Sequence, residues 1–245
     1  MNCRMIACFL GVFLTNVLAS AQSLQMNRWL NVGTEKERTE KLVALGIEED
    51  QARLAAGDAV KWHPLRGESK SGLAILFVPC GTFDASYLDL LEHANAGWQV
   101  RDRVGFDCHY DDSVSVETTP LQNPNVDDVL VHHECEERGT GYVEQHFKVF
   151  AVSSGKFKII LDTKEVVKES GWPKKNEFRL RSKFAVLSSE QSASRILEET
   201  QCVNDNGKIS VQQRRFNWNE SAFLLVPTDF VKVPLGEVKM KASCR

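Results

Sequence analysis

The chain has 245 residues, enough for one sizeable domain or two small ones, with 42% hydrophobic residues, 26% charged residues and a net charge of −3. This composition is ordinary for a globular protein and excludes collagen-like and disorder-like chains. The mild acidity, with basic doublets only as short as Lys174-Lys175 and Arg214-Arg215, argues against nucleic acid as a partner, because phosphate binding rests on clustered Lys and Arg.

The N-terminus reads as a secretory signal peptide over residues 1–21. Arg4 supplies a positive start, Met5 to Leu18 is apolar except for Thr15 and Asn16, and Ala19-Ser20-Ala21 offers the small residues a signal peptidase accepts, with the cut before Gln22. The apolar run is shorter than the roughly 20 residues of a membrane-spanning helix. The expectation is a secreted or periplasmic protein with no stable membrane insertion after cleavage. Cleavage would remove Cys3 and Cys8 and leave Cys80, Cys108, Cys135, Cys202 and Cys244, an odd set with at least one thiol free or bonded to another molecule. Cys108 with Cys135 is the expected disulfide, since both lie near the ends of neighbouring strands.

Residues 22–66 read as a helical hairpin preface. Thr34 to Leu45 is a helix, with Thr34 and Glu37 forming a capping box and Gly46 as the left-handed stop. Ile47 to Ala56 is a second helix, closed by Gly57.

From Leu73 the period changes, and residues 67–245 read as an antiparallel β domain. Leu73 to Val78 is an unbroken apolar run that suits a buried strand. Tyr87 to Glu92 and Trp98 to Asp107 flank a hairpin-like break at Asn95-Ala96-Gly97. Ser113 to Glu117 and Val129 to Cys135 follow. Tyr142 to Val152 and Phe157 to Leu161 enclose Ser153-Ser154-Gly155-Lys156, a turn with Gly where positive φ is wanted. A short helix is expected over Lys164 to Ser170. Further strands are expected at Phe178 to Leu187, Arg195 to Cys202, Ile209 to Arg215 and Phe223 to Val226, with turn chemistry at Asn204-Asp205-Asn206-Gly207. The fold class is therefore mainly β: an antiparallel meander of sandwich, barrel or propeller-like form, with a small helical hairpin ahead of it.

Asn123-Pro124-Asn125-Val126-Asp127-Asp128-Val129-Leu130-Val131 is an acidic loop feeding a strand, and Val149-Phe150 through Leu161 is a strand, glycine turn and strand. On these residues the stretch Trp98 to Leu161, about a quarter of the chain, resembles exported bacterial proteins with propeller-like hairpins of the FG-GAP or VCBS type. The resemblance implies the strand grammar of those hairpins. It does not carry over their calcium loop, which needs an acidic residue and usually a Gly where Val131 and Asp128 stand.

The densest polar run is His132-His133-Glu134-Cys135-Glu136-Glu137. Successive side chains of a strand point to opposite faces, so His132 and Glu134 share one face and His133 and Cys135 the other. Adjacent histidines then cannot hold one ion between them. A metal site, with zinc as the ion such donors take, would need His109 or Asp111 from the segment Cys108-His109-Tyr110-Asp111-Asp112 to join His132 and Glu134. Cys80, at a Pro-Cys-Gly turn after a buried strand, is a candidate nucleophile, and it would need a histidine base that the sequence does not place beside it. Gly139-Thr140-Gly141-Tyr142 is a loop tip which, with His132, His133 and Arg138, forms a candidate polar rim for ligand. No nucleophile elbow, P-loop or dinucleotide fingerprint is present.

The resulting expectation is an exported β-rich binding or interaction module without a catalytic signature. Its ligand would be a protein, peptide or glycan held near His132, His133, Arg138 and Tyr142. The alternative is a metal-dependent hydrolase built on His109, Asp111, His132 and Glu134, with a Cys80 hydrolase as a third reading.

Overall fold

The computed structural model describes residues 23–57, 59–67, 72–78, 86–94, 97–106, 114–137, 142–170, 177–188, 195–220, 222 and 224–234, with backbone alone at 135–137, 170, 177, 188 and 195. Over these residues the protein is mainly β, with antiparallel strand pairing and a small helical set at the front. They fall into two compact units. The first holds the helices and the strands up to Gly105; the second holds Arg66 and the chain from Phe106 onward. None of the described helices is long and apolar enough to cross a membrane.

Three helices lead the first unit: α1 at residues 23–31, α2 at Glu35–Ala44 and α3 at Glu49–Ala56. The expected hairpin is α2 and α3; α1 is additional to it. The capping box forms as the sequence requires. Glu37 N donates to Thr34 Oγ1 at 3.3 Å, and Thr34 N donates to the Glu37 carboxylate at 2.7 Å. α2 ends in paired bonds from Gly46 N to Val43 O and from Ile47 N to Leu42 O, with Gly46 at φ +84°. The positive φ at Gly46 is the reason for glycine there; a Cβ would lie in contact with Val100 N at 3.4 Å.

The helices pack on a four-stranded sheet in the order β1 (Lys61–Leu65), β2 (Leu73–Val78), β3 (Ser86–Ala94), β4 (Gly97–Phe106). Leu30, Leu42, Ile47, Ala52 and Ala55 from the helices meet Trp62, Ala74, Leu76 and Leu91 from the strands in one core. β2 is buried along nearly its whole length, as its unbroken apolar run predicts. Fully buried Asp89 is held by Arg103, Nε to Oδ1 at 2.5 Å and Nη2 to Oδ2 at 2.9 Å. Burial raises the Asp89 carboxyl, and the bonds from Arg103 only partly offset it.

The second unit is one long meander. Strands β5 (Val114–Asn123), β6 (Val126–Glu137), β7 (Tyr142–Ser153), β8 (Lys156–Ser170), β9 (Glu177–Ser188), β10 (Arg195–Asp205), β11 (Lys208–Asn219) and β12 (Leu224–Pro227) lie side by side in chain order, and β13 (Val231–Lys232) also pairs with β11, making nine strands. Strands distant in this order come within 8 Å of one another between Cα atoms, β5 with β10 and β8 with β12, so the sheet curls. Leu121, Leu130, Phe147, Val149, Leu197 and Phe216 form its core. The side bearing Phe147 and Phe216 is called the inner face below.

Several expectations hold and one is corrected. Asn206 and Gly207, at φ +50° and +85°, make the two-residue turn between β10 and β11 that Asn-Gly predicts. Lys164 to Ser170, expected as a helix, is instead the end of strand β8. Its backbone is claimed from both sides, Val167 lying opposite Glu144 of β7 and Leu180 of β9, and the β-branched pair Val166-Val167 suits that pleated position. The stretch from Trp98 to Leu161 supplies β4 to the four-stranded sheet and β5 to β8 to the larger one. Asp127 and Asp128 are buried residues of β6. Asp127 takes a two-pronged ion pair from Arg66, Nη2 to Oδ1 at 2.7 Å and Nε to Oδ2 at 3.2 Å.

Candidate functional site

Alternation and register place three cross-strand rows on the inner face. Ser182, Gln201 and Gln212 lie in one row; Phe184, Glu199 and Arg214 in the next; Val186, Leu197 and Phe216 in the third. Glu199 is fully buried, yet its carboxylate is completely engaged. Arg214 Nε donates to Oε2 at 2.6 Å, while Ser182 Oγ and Gln201 Nε2 donate to Oε1 at 2.5 and 3.2 Å. Gln212 Nε2 extends the chain to Gln201 Oε1 at 2.6 Å. A buried carboxylate is tolerated only with such pairing. The Arg214 guanidinium lies 4.9 Å from the ring centre of Phe216 and 4.4 Å from that of Phe230, and Nη2 reaches Thr163 Oγ1 at 3.4 Å.

Beside this row Phe184 stacks on Phe147, with ring centres 4.0 Å apart and planes 13° from parallel. Phe147 in turn touches the ring of His132, at 4.9 Å. His132 Nδ1 meets Glu165 Oε2 at 2.6 Å. Glu165 has no partner in β7: His146 lies opposite Lys164 and Gln145 opposite Val166, so Glu165 is the extra residue of a β-bulge. Bulges re-aim side chains, and this one presents a carboxylate to the inner face. The hydrogen bond from Glu165 raises the His132 pKa; burial opposes it, and the charges of Glu165 and Glu117 add to the rise. The inner face thus carries two charged pairs, His132 with Glu165 and Arg214 with Glu199, separated by stacked aromatic rings of which Phe184 is half-buried.

The sequence-predicted rim does not assemble on one side. His132 and His133 point to opposite faces, as strand alternation requires. His133 is buried, with its ring against Phe106 at 5.4 Å, and pairs across with His146. Tyr142 shares the His133 side through the same register, and its hydroxyl donates to Glu144 rather than reaching His132. Glu134 lies two residues beyond His132 on β6. Arg138, His109, Asp111 and Cys80 lie outside the described residues, as does Cys108, and Cys135 is described in its backbone only. Among the described residues no three His, Cys, Asp or Glu side chains converge as a metal site would require.

The outer side of β7 and β8 carries an ionic lattice that sequence reading did not identify. His146 lies between Glu144 and Asp162, with Nδ1 to Asp162 Oδ1 at 3.0 Å, and Lys164 Nζ donates to Glu144 at 2.7 Å. Burial alone would raise the Glu144 carboxyl, but the bonds from Lys164, Tyr142 and His146 prevail and hold it at about 2. Each of its members is satisfied within the lattice, which therefore stabilises the sheet rather than offering a free reactive group.

Glu199, Arg214, Glu165 and the Phe147–Phe184 stack are likewise residues that sequence reading missed. The signal for the first two was present: a two-residue Asn-Gly turn fixes the pairing of β10 with β11, and alternation then sets Glu199 beside Arg214. Cys202, buried on the opposite side of β10, is disulfide-bonded. Comparison with known protein families, curated proteins and solved structures returned no match.

Proposed function

We propose that this protein is an exported, β-rich binding module whose ligand rests on the inner face of the large sheet. The observation that carries this reading is half-buried Phe184, which stacks on buried Phe147 between the His132–Glu165 and Glu199–Arg214 pairs, so that Phe184, His132 and Arg214 are the partly exposed groups a ligand meets, with a bulge directing Glu165 into place. Aromatic faces beside forked and amide side chains give stacking and directed hydrogen bonds together, the combination that a glycan or a peptide segment meets. Export is supported by the signal-like leader and by the disulfide at Cys202, since such bonds persist in oxidising compartments. Among the described residues no observation favours the metal-dependent hydrolase.

Glycan and peptide arrays probed with the mature chain test the reading. Phe184→Leu and His132→Gln should weaken the captured ligand about tenfold while the circular dichroism spectrum stays unchanged. Equal binding by wild type and both variants would remove the inner face as the site. Stoichiometric zinc in the purified sample would turn the assignment toward the hydrolase. Mass spectrometry of the protein from its native host should give Gln22 as the first residue.

A further inference from the structure

Cys202 of β10 is buried and disulfide-bonded. Gln201 faces inward, so alternation turns Cys202 to the other side of the sheet, where it lies directly opposite Val211 of β11. Val211 is buried as well, and Ile209 packs against the pair. No other cysteine side chain belongs to the described residues, so the sulfur that completes the bond lies outside them.

The course of the chain after β12 points to the partner. β13 lies along β11, with Val231 opposite Gln213 and Lys232 opposite Gln212. Val233 N then donates to Val211 O at 3.0 Å, so the chain runs past the residue that faces Cys202. Two strand spacings place Val233 roughly 10 Å from Cys202. Cys244 follows 11 residues after Val233. An extended chain of that length reaches up to about 36 Å, ample to cross β11 and meet Cys202. The other cysteines are less well placed. Cys3 and Cys8 belong to the leader read as cleaved. Cys80 and Cys108 follow β2 and β4 of the four-stranded sheet, and Cys135 lies on β6, four strands from β10 in the sheet order. A disulfide requires Cα atoms about 4.4–6.8 Å apart, so nearness to Cys202 along the sheet is the deciding criterion.

We infer that Cys202 is bonded to Cys244, which makes the C-terminal segment a covalent strap fastened to the side of β10 away from the inner face. The strap answers a weakness at this edge. β13 has two residues and Val231 is largely exposed, so few contacts hold the chain there. A bond that closes a loop of about 40 residues removes freedom from the unfolded chain and keeps the short edge in place. Forming it joins Sγ to Sγ and takes two electrons and two protons from the two thiols; a small-molecule disulfide such as glutathione disulfide accepts them and becomes two thiols.

Peptide mapping tests the assignment. The purified mature chain is equilibrated with glutathione disulfide, its free thiols are blocked with iodoacetamide in denaturant, and it is cleaved with trypsin without reductant. The peptide 196–208, which carries Cys202, should appear joined to 242–245, which carries Cys244, and the two should separate on reduction. In Cys244→Ser, Cys202 should take up iodoacetamide, and Tm should fall by about 5–10 °C. Ser243→Ala should match wild type in both respects. The inference is overturned if 196–208 is joined to a peptide carrying Cys80, Cys108 or Cys135, or if Cys244 of the wild-type chain is alkylated. A Cys244→Ser variant with the wild-type Tm would overturn the strap as a support of the edge.

Discussion

His132 and Glu165 are 33 residues apart in sequence, on strands that do not pair, and yet Nδ1 of one lies 2.6 Å from Oε2 of the other. The contact spans β7 and exists because β8 bulges at Glu165. Since Glu165 lifts the His132 pKa above its ordinary 6.5, the pair favours the folded state when the imidazole is charged. Its stabilisation is complete below the unfolded value and is lost as pH rises through the folded one. The His132 ring proton, followed by NMR, should titrate above 6.5 in wild type and lower in Glu165→Gln. That variant should be less stable by about 1–2 kcal/mol at pH about 6, with the gap closing at alkaline pH. An unchanged titration midpoint would show that the pair does not form in solution.

Asp128 sets the opposite balance. Its burial raises the carboxyl to about 6, although Leu121 N, Gln122 N and the Gln122 amide all donate to it, and neighbouring Asp127 adds to the rise. The folded pKa is above the unfolded one, so the protonated acid favours folding, and stability falls as pH climbs from about 4 through about 6. The cost at neutral pH is roughly 3 kcal/mol. Asp128→Asn should flatten urea midpoints across that window and exceed wild type in stability at pH about 7. A variant that keeps the wild-type pH slope would assign the slope to another group.

Removing one member of the buried pair on the inner face should be costly. Arg214→Met leaves the Glu199 carboxylate fully buried with only Ser182 and Gln201 as donors, and should destabilise by about 3–5 kcal/mol. Replacing both, Glu199→Gln with Arg214→Met, should recover much of that loss. Chemical denaturation of the two single variants and the double variant measures the coupling; additive losses would mean the charges do not interact.

The edge of the small sheet is closed by side chains of α1. Asn27 accepts from Trp62 N at 2.7 Å and donates to Trp62 O at 3.0 Å, and Asn31 does the same for Val60 at 3.0 and 2.8 Å. The two amides, one helical turn apart, stand in for a neighbouring strand and blunt an exposed edge. Asn27→Ala should destabilise by about 1–3 kcal/mol, the worth of two partly buried hydrogen bonds. The Trp62 amide should then exchange with solvent much faster than in wild type, while amides of β10 and β11 stay protected. Unaltered Trp62 exchange would show that another group closes the edge.

The amino-acid sequence by itself determined what local chemistry controls. Thr34 and Glu37 start α2, Gly46 ends it, and the Asn206-Gly207 turn forces Asp205 opposite Lys208. Counting back from that turn already sets Glu199 against Arg214, and alternation already separates His132 from His133. Only the tertiary structure decided the rest. α1 buries Leu30 and is held by the Asn27 and Asn31 amides, which find their partners at Trp62 and Val60, 35 and 29 residues away. Two single-residue bulges in β8 shift its register against β7, which is why Glu165 reaches His132, and Lys164 to Ser170 is strand because β7 and β9 both pair with it. A bulge breaks the two-residue alternation at a single point, and where that point falls is fixed by the packing of both neighbouring strands.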